Sequence, residues 1–267
     1  MFKKCFSAFC LVLCSVSSVV VGAAELRWLG QAGYQIKTNS GKVILIDPFI
    51  THNPKAPKDV RDLKGLGKVD LILVTHGHKD HFGDTLEISR MTGAKIALNA
   101  DLGTTLETLK IVPEGKLIRF NKGATLEPIG AGIKITMVRA EHSSSFEHPH
   151  NGVVENHPGG EPAGYIIELE DGYKIYHAGD TGVFADMVFI GGYYSPDLAL
   201  LPIGGHFTMD PKHAAYAVNA LLKPKVVIPM HYGTFPILAG TPKQFKAALG
   251  KTKSKLVVLE PGDTYRP

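Results

Sequence analysis

The sequence predicts a layered α/β sandwich. Short strand-like runs fill residues 25–46, and strand-like and helix-like runs then alternate between residues 70 and 113. Several of the apolar runs end directly in a histidine or an aspartate. The 267 residues, 44% of them hydrophobic and 20% charged, are sufficient for a large core and leave a division into one or two domains open.

The first folded segment is predicted to be a meander of three strands at residues 25–29, 34–37 and 42–46. The third strand ends at Asp47. A carboxylate at a buried strand end needs a partner, and a metal-binding histidine would supply one through its free ring N–H. A turn cap or helix cap is the alternative role for Asp47.

The rest of the chain continues the alternation of elements. Further strands are predicted between residues 117 and 138 (three runs) and at 70–75, 95–98, 164–170, 173–176, 197–201, 226–230 and 255–259. Helices are predicted at residues 83–91, 101–109, 183–190, 211–222 and 242–249. Residues 51–68 and 146–162 are rich in proline and glycine and are predicted to be loops, the second of them a flexible lid.

Residues 1–23 are predicted to be a signal peptide, which leaves a mature domain of residues 24–267. Two lysines precede an apolar stretch, Cys5–Val21, and small residues place the cleavage after Ala23 or Ala24. A retained membrane anchor is the alternative, which the short stretch disfavours. The mature chain is therefore expected in the periplasm or outside the cell, without a stable membrane anchor.

Composition limits the partners of the mature chain. All three cysteines lie in the predicted signal peptide, so that neither a disulfide nor a thiolate ligand is expected. The formal net charge of +4 falls to about +2 when the two lysines leave, and no long basic run is present. A small-molecule substrate is therefore expected rather than a nucleic acid, and a homo-oligomer is left open.

The densest polar cluster follows the apolar run at residues 71–74. His76 and His78 lie two residues apart and can point the same way from an extended segment, while Asp80 and His81 turn back from the start of the next element. Imidazoles and carboxylates this close together need a cation between them, and the arrangement suits two adjacent metal ions. A solvated polar turn is the alternative.

Three more candidates, His142, Asp180 and His231, each follow an apolar strand-like run, and strand ends of one sandwich edge converge on one cleft. The expected ligands are His76, His78 and His142 for one ion and Asp80, His81 and His231 for the other, with Asp180 between them. Nitrogen and oxygen ligands without sulfur suit zinc, and also manganese or iron. His52, His206 and Tyr232 are predicted to face the substrate, with a structural role as the alternative for each.

These residues resemble those of the metallo-β-lactamase superfamily over nearly all of the mature chain. Within it, the chain is similar to a branch of uncharacterised metal-dependent hydrolases related to ascorbate-6-phosphate lactonase. The closer resemblance rests on six segments: 46–49 (IDPF), 142–145 (HSSS), 176–181 (YHAGDT), 202–205 (PIGG), 207–209 (FTM) and 229–232 (PMHY). The resemblance implies a single-domain, four-layer αββα sandwich of two β-sheets with helices outside.

The chemistry expected of this site is hydrolysis by a hydroxide that two metal ions hold and acidify toward a pKa of ~7. Asp80 is expected to be catalytic, since it can orient the nucleophile and pass its proton to the leaving group. The substrate is expected to be a small ester, lactone or phosphodiester.

Other functions of the same fold are kept as alternatives. A phosphodiesterase or nuclease is one, and a non-catalytic periplasmic metal-binding protein is another. A diiron redox enzyme is disfavoured, because the resemblance implies a glutamate at one motif histidine in that branch, whereas this chain has His78. True β-lactamase activity is weakly indicated, since many chemistries share the fold.

Overall fold

The computed structural model describes residues 23–130 and 132–267. Two seven-stranded sheets pack face to face, and helices cover the outer face of each sheet. This is the single-domain αββα sandwich that the sequence predicted. The predicted signal peptide lies outside the described residues except for Ala23. Among the described residues, no helix has the length and apolar character needed to cross a membrane.

Most predicted strands are present with small changes at their ends. The strands in chain order are β1 (Glu25–Gly30), β2 (Gly33–Lys37), β3 (Val43–Ile46), β4 (Leu71–Leu73), β5 (Lys95–Asn99), β6 (Leu117–Phe120), β7 (Thr125–Leu126), β8 (Lys134–Arg139), β9 (Ser145–His150), β10 (Val153–Pro158), β11 (Ala163–Glu168), β12 (Lys174–His177), β13 (Leu198–Pro202), β14 (Val226–Met230), β15 (Lys255–Leu256) and β16 (Thr264–Tyr265). The first sheet has the order β16-β1-β2-β3-β4-β5-β6 and the second β15-β14-β13-β12-β11-β8-β7. The first strand therefore pairs with the last one, with Leu26 opposite Tyr265.

The helices lie on the outer faces of the two sheets. They are α1 (Lys79–Phe82), α2 (Thr85–Thr92), α3 (Ala100–Thr108), α4 (Met187–Phe189), α5 (Pro211–Tyr216) and α6 (Pro242–Leu249). Two of them continue as π-helical turns, α4 through Ile190–Tyr194 and α5 through Ala217–Leu222. The predicted loop at 51–68 contains only two short 3-10 turns, Lys58–Val60 and Lys64–Leu66.

The strand directions decide where the polar motifs meet. Strands β3, β4, β5 and β6 are parallel in the first sheet, as are β12, β13, β14 and β15 in the second. Strand β8 runs in the same direction as β12, because each is antiparallel to β11. The carboxyl ends of β8, β12 and β14 therefore lie at one edge of the second sheet, and the polar residues that follow them can approach the motif after β4.

A hydrogen bond joins the two sheets close to that edge. The buried Tyr165 on β11 donates its hydroxyl to the carbonyl oxygen of Val74, which follows β4, at 2.6 Å. A buried hydroxyl needs such a partner. The contact fixes the position of the segment after β4, which leads into the histidine motif, relative to the second sheet.

The prediction of a loop at residues 146–162 is wrong, because β9 and β10 form a hairpin there. The turn at Asn151 and Gly152 has φ values of 49° and 80°, the left-handed region that the favoured two-residue hairpin turns require. Pro149 and Pro158 are tolerated because each strand of a two-stranded sheet has a free edge that needs no N–H.

The predicted helix at residues 183–190 begins later and ends later than expected, since α4 and its π-helical turn cover residues 187–194. Packing explains the shift. A Cβ at Gly191 would lie 2.4 Å from the carbonyl oxygen of Leu221 and 2.6 Å from that of Leu222. Gly191, one of the two glycines that weaken the helix signal in the sequence, is needed for this close approach of two backbones, whereas a Cβ at Gly192 would meet open space.

Gly83 ends α1 and allows the chain to pass against the segment after β3. Its φ is 42°, and a Cβ would lie 2.4 Å from the carbonyl oxygen of Pro48. We expect Gly83→Ala to lower the free energy of unfolding by about 1–2 kcal/mol for the backbone conformation and by a further ~1–3 kcal/mol for the overlap. Gly41→Ala is the matched control, since its φ is 78° and its Cβ would meet open space. Equal losses in denaturant unfolding of the two variants would contradict this account.

Candidate metal centre

Three histidines from two sheets form the first cluster of the site. His76 and His78 follow β4, and their Nε2 and Nδ1 atoms lie 3.0 Å apart. The ring of His142, which comes after β8, has its centroid 5.2 Å from those of both histidines. One ring nitrogen from each of the three lies within 4.8 Å of the others, so the cluster is able to hold a metal ion.

The second cluster contains Asp80 and His81 from α1 and His231 from the end of β14. The Oδ2 atom of Asp80 lies 3.7 Å from His81 Nε2 and 3.4 Å from His231 Nε2. Both histidines are buried, and their rings stack with centroids 5.4 Å apart. These three side chains form a second set whose ligand atoms lie within the span of one metal ion.

Asp180 lies between the two clusters. Its Oδ1 atom is 3.2 Å from His81 Nε2, and its Oδ2 atom is 3.1 Å from His231 Nε2 and 3.6 Å from His142 Nε2. It also forms a third possible ligand set with His76 and His81. A carboxylate with both oxygens directed at different histidines has the position that a bridging ligand would need.

Two buried atoms test whether a cation fits here. Among the described residues, His81 Nε2 and Asp180 Oδ1 are buried without a hydrogen-bond partner, although they lie 3.2 Å apart. Leaving such groups unpaired is costly, and either a proton on Nε2 or a metal cation that replaces it would satisfy both. The donor set of imidazole nitrogens and carboxylate oxygens is that of zinc and related transition metals. The residues therefore fit a metal, and their role as ligands stays a prediction.

The comparison with known proteins agrees with this chemistry. Residues 42–232 match the Beta-lactamase superfamily domain family, which is more than half of the chain. The chain belongs to the metallo-β-lactamase superfamily. It is 49% identical to a UPF0173 metal-dependent hydrolase of a Polaromonas species, across 95% of this chain and 93% of the relative. It is 53% identical to another from Cupriavidus taiwanensis, across 91% and 86%.

A solved structure extends the likeness to the whole fold. A metallo hydrolase from the hyperthermophilic archaeon Ignicoccus hospitalis superimposes with a TM-score of 0.76 and 38% sequence identity. The match covers 91% of this chain and 98% of that protein. With the relatives, this similarity makes the chain a metal-dependent hydrolase of the metallo-β-lactamase superfamily.

Asp47 orients His81 through the ring nitrogen Nδ1, on the side of the ring away from the other cluster residues. The Oδ2 atom of Asp47 lies 2.7 Å from His81 Nδ1 and accepts the hydroxyl of Thr75, while Oδ1 accepts the Thr75 backbone N–H at 2.8 Å. The carboxylate therefore holds the proton of His81 on Nδ1 and leaves Nε2 directed toward Asp80 and Asp180. Such a contact orients a ligand histidine and raises its basicity.

Another histidine of the same region has a purely structural contact set. His177 Nε2 donates to the carbonyl oxygen of Ala32 at 2.8 Å, and its Nδ1 accepts the N–H of Gly179 at 3.2 Å. Both ring nitrogens are thus used by the backbone. Burial lowers the pKa of His177, which is consistent with a neutral ring that joins the sheets.

The histidines of the two clusters differ in their protonation at neutral pH. Burial, followed by the charge of His81, lowers the pKa of His76 and of His78, and burial also lowers the pKa of His142. The first cluster is therefore neutral and ready for a cation at neutral pH. Burial alone would lower the pKa of His81 as well, but the carboxylates of Asp180, Asp80 and Asp47 outweigh it and raise that pKa well above its usual value.

His231 and Asp80 are also shifted by their neighbours. Burial opposes protonation of His231, yet Asp180 and Asp80 raise its pKa to about 9. Burial likewise opposes ionisation of Asp80, but the charge of His81 and the contact with His231 hold the pKa of this carboxyl below its usual range. Asp80 is thus ionised at neutral pH.

Two members of each cluster line a cavity of about 770 Å³ and form its floor with Asp180, namely His78, His142, Asp80 and His231. His76 and His81 are fully buried. His52 and Lys79 also line this cavity. The predicted role of His52 as a substrate-facing group fits this position and stays a prediction. His206 lies in the neighbouring groove against α5 and α6. Tyr232 packs on Trp28 with ring centroids 5.5 Å apart and lines a small separate pocket. The structure therefore does not bring His206 or Tyr232 to this cavity.

Sequence reasoning missed Gln31, which is buried on the cavity floor. Its side-chain nitrogen donates to Asp80 Oδ2 at 2.8 Å and lies 2.8 Å from His231 Nε2. The backbone carbonyl oxygen of Gln31 accepts the backbone N–H of His231 at 3.0 Å. The signal that the sequence offered was a glutamine between Gly30 and Gly33 in a short turn between two predicted strands. In the structure Gln31 has a φ of 52°. Such a residue in the left-handed region is uncommon outside strained or functional sites.

Metal binding should displace a proton from the second cluster. His81 carries two ring protons at neutral pH because its pKa is raised, and a metal at Nε2 requires that nitrogen to be deprotonated. We expect addition of Zn²⁺ to chelator-stripped protein at pH 7 to release at least about one proton. The release should shrink as the pH rises through the raised pKa. Calorimetry in buffers of different ionisation enthalpy measures it, and zero release at pH 7 contradicts the assignment. His142→Asn is the control that should keep the release.

Replacing Asp47 by asparagine should weaken metal binding. An amide has one acceptor oxygen for the three donors that Asp47 receives from Thr75 and His81. We expect the affinity for Zn²⁺ to fall by roughly 10- to 100-fold in Asp47→Asn. Asp70→Asn is the matched control, because Asp70 accepts the N–H of Val43 at the opposite end of β4. Competition with a chromophoric chelator measures both, and equal affinities would refute the orienting role.

Proposed function

We propose that the mature protein hydrolyses a small ester, lactone or phosphodiester at a centre of two divalent metal ions, with zinc as the expected metal and manganese or iron as alternatives. One observation carries the proposal. Two sets of three ligand atoms lie side by side with Asp180 between them, and members of both sets line one cavity of about 770 Å³. The family to which the chain belongs supports hydrolysis as the reaction class.

Metal ions in this site would acidify a water molecule and polarise the oxygen that takes up charge during hydrolysis. The protein supplies the groups around that chemistry. Asp80 is the most accessible of the carboxylates in contact with the two clusters, with 27% of its side chain exposed against 3% for Asp180. Because Asp80 is ionised and faces the cavity, it can take the proton of the attacking water and deliver it to the leaving group.

The contacts of Gln31 suit this role of Asp80. The Gln31 amide donates to Oδ2 of Asp80, which leaves Oδ1 without that constraint and able to accept a proton. The Gln31 backbone is held by the N–H of His231 and by the indole N–H of Trp28, at 3.0 and 3.1 Å. The orientation of the Asp80 carboxylate is therefore fixed from the turn between β1 and β2.

The cavity walls favour a small substrate over a nucleic acid. Lys79 is the one lysine or arginine that lines the cavity among the described residues. A polyanion needs several basic side chains along its backbone. The apolar N-terminal segment and the absence of cysteine after it support our proposal that this hydrolysis takes place in the periplasm or outside the cell.

The test is an Asp80→Asn variant assayed beside the native chain. We expect kcat to fall by roughly 100-fold or more, because the amide cannot accept the proton of the nucleophile. Metal content must be measured in both proteins, so that loss of an ion is not mistaken for loss of a base. The substrates are a panel of lactones, carboxylic esters and phosphodiesters. A variant with intact metal content and full activity refutes the role of Asp80, and a native chain that turns over none of the panel favours a metal-binding protein.

A further inference from the structure

Three large apolar side chains are exposed to solvent on one rim of the cavity. Phe207, Phe235 and Ile237 have 57%, 36% and 47% of their surfaces accessible, and all three line the space above the two clusters. Single exposed apolar residues are ordinary, but several that converge on one concave surface mark a binding site. The loops that follow β13 and β14 bring them there.

Buried side chains continue this surface into the cavity. Phe49 and Leu238 line the same wall and are almost fully buried. The rings of Phe49 and Phe235 contact each other, with centroids 6.4 Å apart. We call these five residues the apolar wall: Phe49, Phe207, Phe235, Ile237 and Leu238. The wall receives Phe49 from the segment after β3 and the other four from the second sheet, so that it closes across the sandwich edge.

The loop that carries most of the wall has a defined backbone. The N–H of Leu238 donates to the carbonyl oxygen of Phe235 at 3.0 Å, and the N–H of Gly233 donates to that of Leu238 at 3.3 Å. The N–H of Gly240 donates to the carbonyl oxygen of Gly204 at 3.0 Å. The apolar side chains are therefore held over the cavity before any ligand arrives, and a preformed wall loses little entropy on binding.

Polar side chains line the same cavity. Apart from the two clusters and Asp180, the described polar or charged side chains that line it are Gln31, His52, Lys79 and Ser143. A substrate bound in the cavity therefore meets candidate metal ligands and hydrogen-bonding groups as well as hydrocarbon. A small, fully polar substrate would leave the wall exposed to water.

We propose that the substrate carries a sizeable apolar group, an alkyl chain or aryl ring, next to the bond that is cleaved, and that the apolar wall binds this group. The proposal rests on the proposed function, since it names the substrate class of the same site. Each methylene removed from water is worth about 0.8 kcal/mol, or roughly fourfold in kcat/KM. A few methylenes would thus dominate the choice of substrate.

The experiment compares matched pairs of substrates that differ only in the apolar group. The zinc-loaded native protein is assayed with γ-valerolactone and γ-nonalactone, and with ethyl acetate and ethyl hexanoate. We expect kcat/KM to be at least tenfold higher for the longer member of the pair that is hydrolysed. Hydrolysis without a preference for the longer member overturns the inference and leaves the proposed function intact.

Two variants connect the preference to the wall. In Phe207→Ala and Phe235→Ala the ratio of kcat/KM for long over short substrate should fall toward one, because each removes an exposed part of the wall. Tyr193→Ala is the matched control, since Tyr193 is 70% exposed and lies outside the cavity. A ratio that stays high in both wall variants, with metal content intact, contradicts the assignment.

A binding measurement decides the question independently of turnover. The fluorescent dye 1-anilinonaphthalene-8-sulfonate should bind chelator-stripped native protein, and its affinity should fall at least several-fold in both phenylalanine variants but not in Tyr193→Ala. This outcome supports the wall even if the whole panel escapes hydrolysis, which would count against the proposed function alone. Dye affinity that is the same in all proteins overturns the inference. A dimer in solution that dissociates in the two wall variants also overturns it, since a second copy would then cover the wall.

Discussion

The buried carboxylate of Asp47 is the contact on which the geometry of the site depends. Asp47 is fully buried, with a φ of 45°, directly after β3. It receives the backbone and side chain of Thr75 from the end of β4 and the ring N–H of His81 from α1. One side chain thereby aligns two strand ends and the helix that carries half of the second cluster. A buried charge without such partners would be strongly destabilising, so the three donors and Asp47 require one another.

Nearby carboxylates, Asp180 and Asp80 before Asp47, explain why the two clusters differ in charge. The first cluster consists of imidazoles alone, and its members lower one another's pKa in addition to the effect of burial. The second cluster has Asp47, Asp80 and Asp180 around His81, and it retains protons that a cation would replace. The difference in charge arises because the carboxylates outweigh burial at the histidines of the second cluster but not at those of the first. It provides one neutral site and one site in which a cation competes with protons.

Most of the polar cluster could be predicted from the sequence, because the segments that carry its residues each follow an apolar strand-like run. His76, His142, Asp180 and His231 follow β4, β8, β12 and β14, and parallel strands bring their ends to one edge. The hairpin of β9 and β10 was missed because composition and local turn geometry point to different structures. Proline and glycine counts argued for a loop, whereas the two-residue turn at Asn151 and Gly152 decided the local structure.

Contacts between distant segments were beyond sequence patterns. Gln31 reaches Asp80 and His231 only because the turn between β1 and β2 packs against the end of β14 in the other sheet. The apolar wall likewise combines a residue after β3 with residues after β13 and β14. His206 and Phe207 are neighbours in the chain, yet they face different cavities. Two adjacent residues of one loop thus line two different cavities, which the sequence pattern does not indicate.

The pairing of β1 with β16 has a consequence for the order of folding. Arg27 on β1 donates to the carbonyl oxygen of Gly262, 235 positions further along the chain, and Glu25 accepts Arg266 in the same region. Contacts at such sequence separation close a very long loop and form late. While the chain emerges, the β1 edge of the first sheet is unpaired, and an unpaired edge invites association with other strands. Strand β16 therefore protects the first strand, and this edge of the first sheet stays open until β16 has been synthesised.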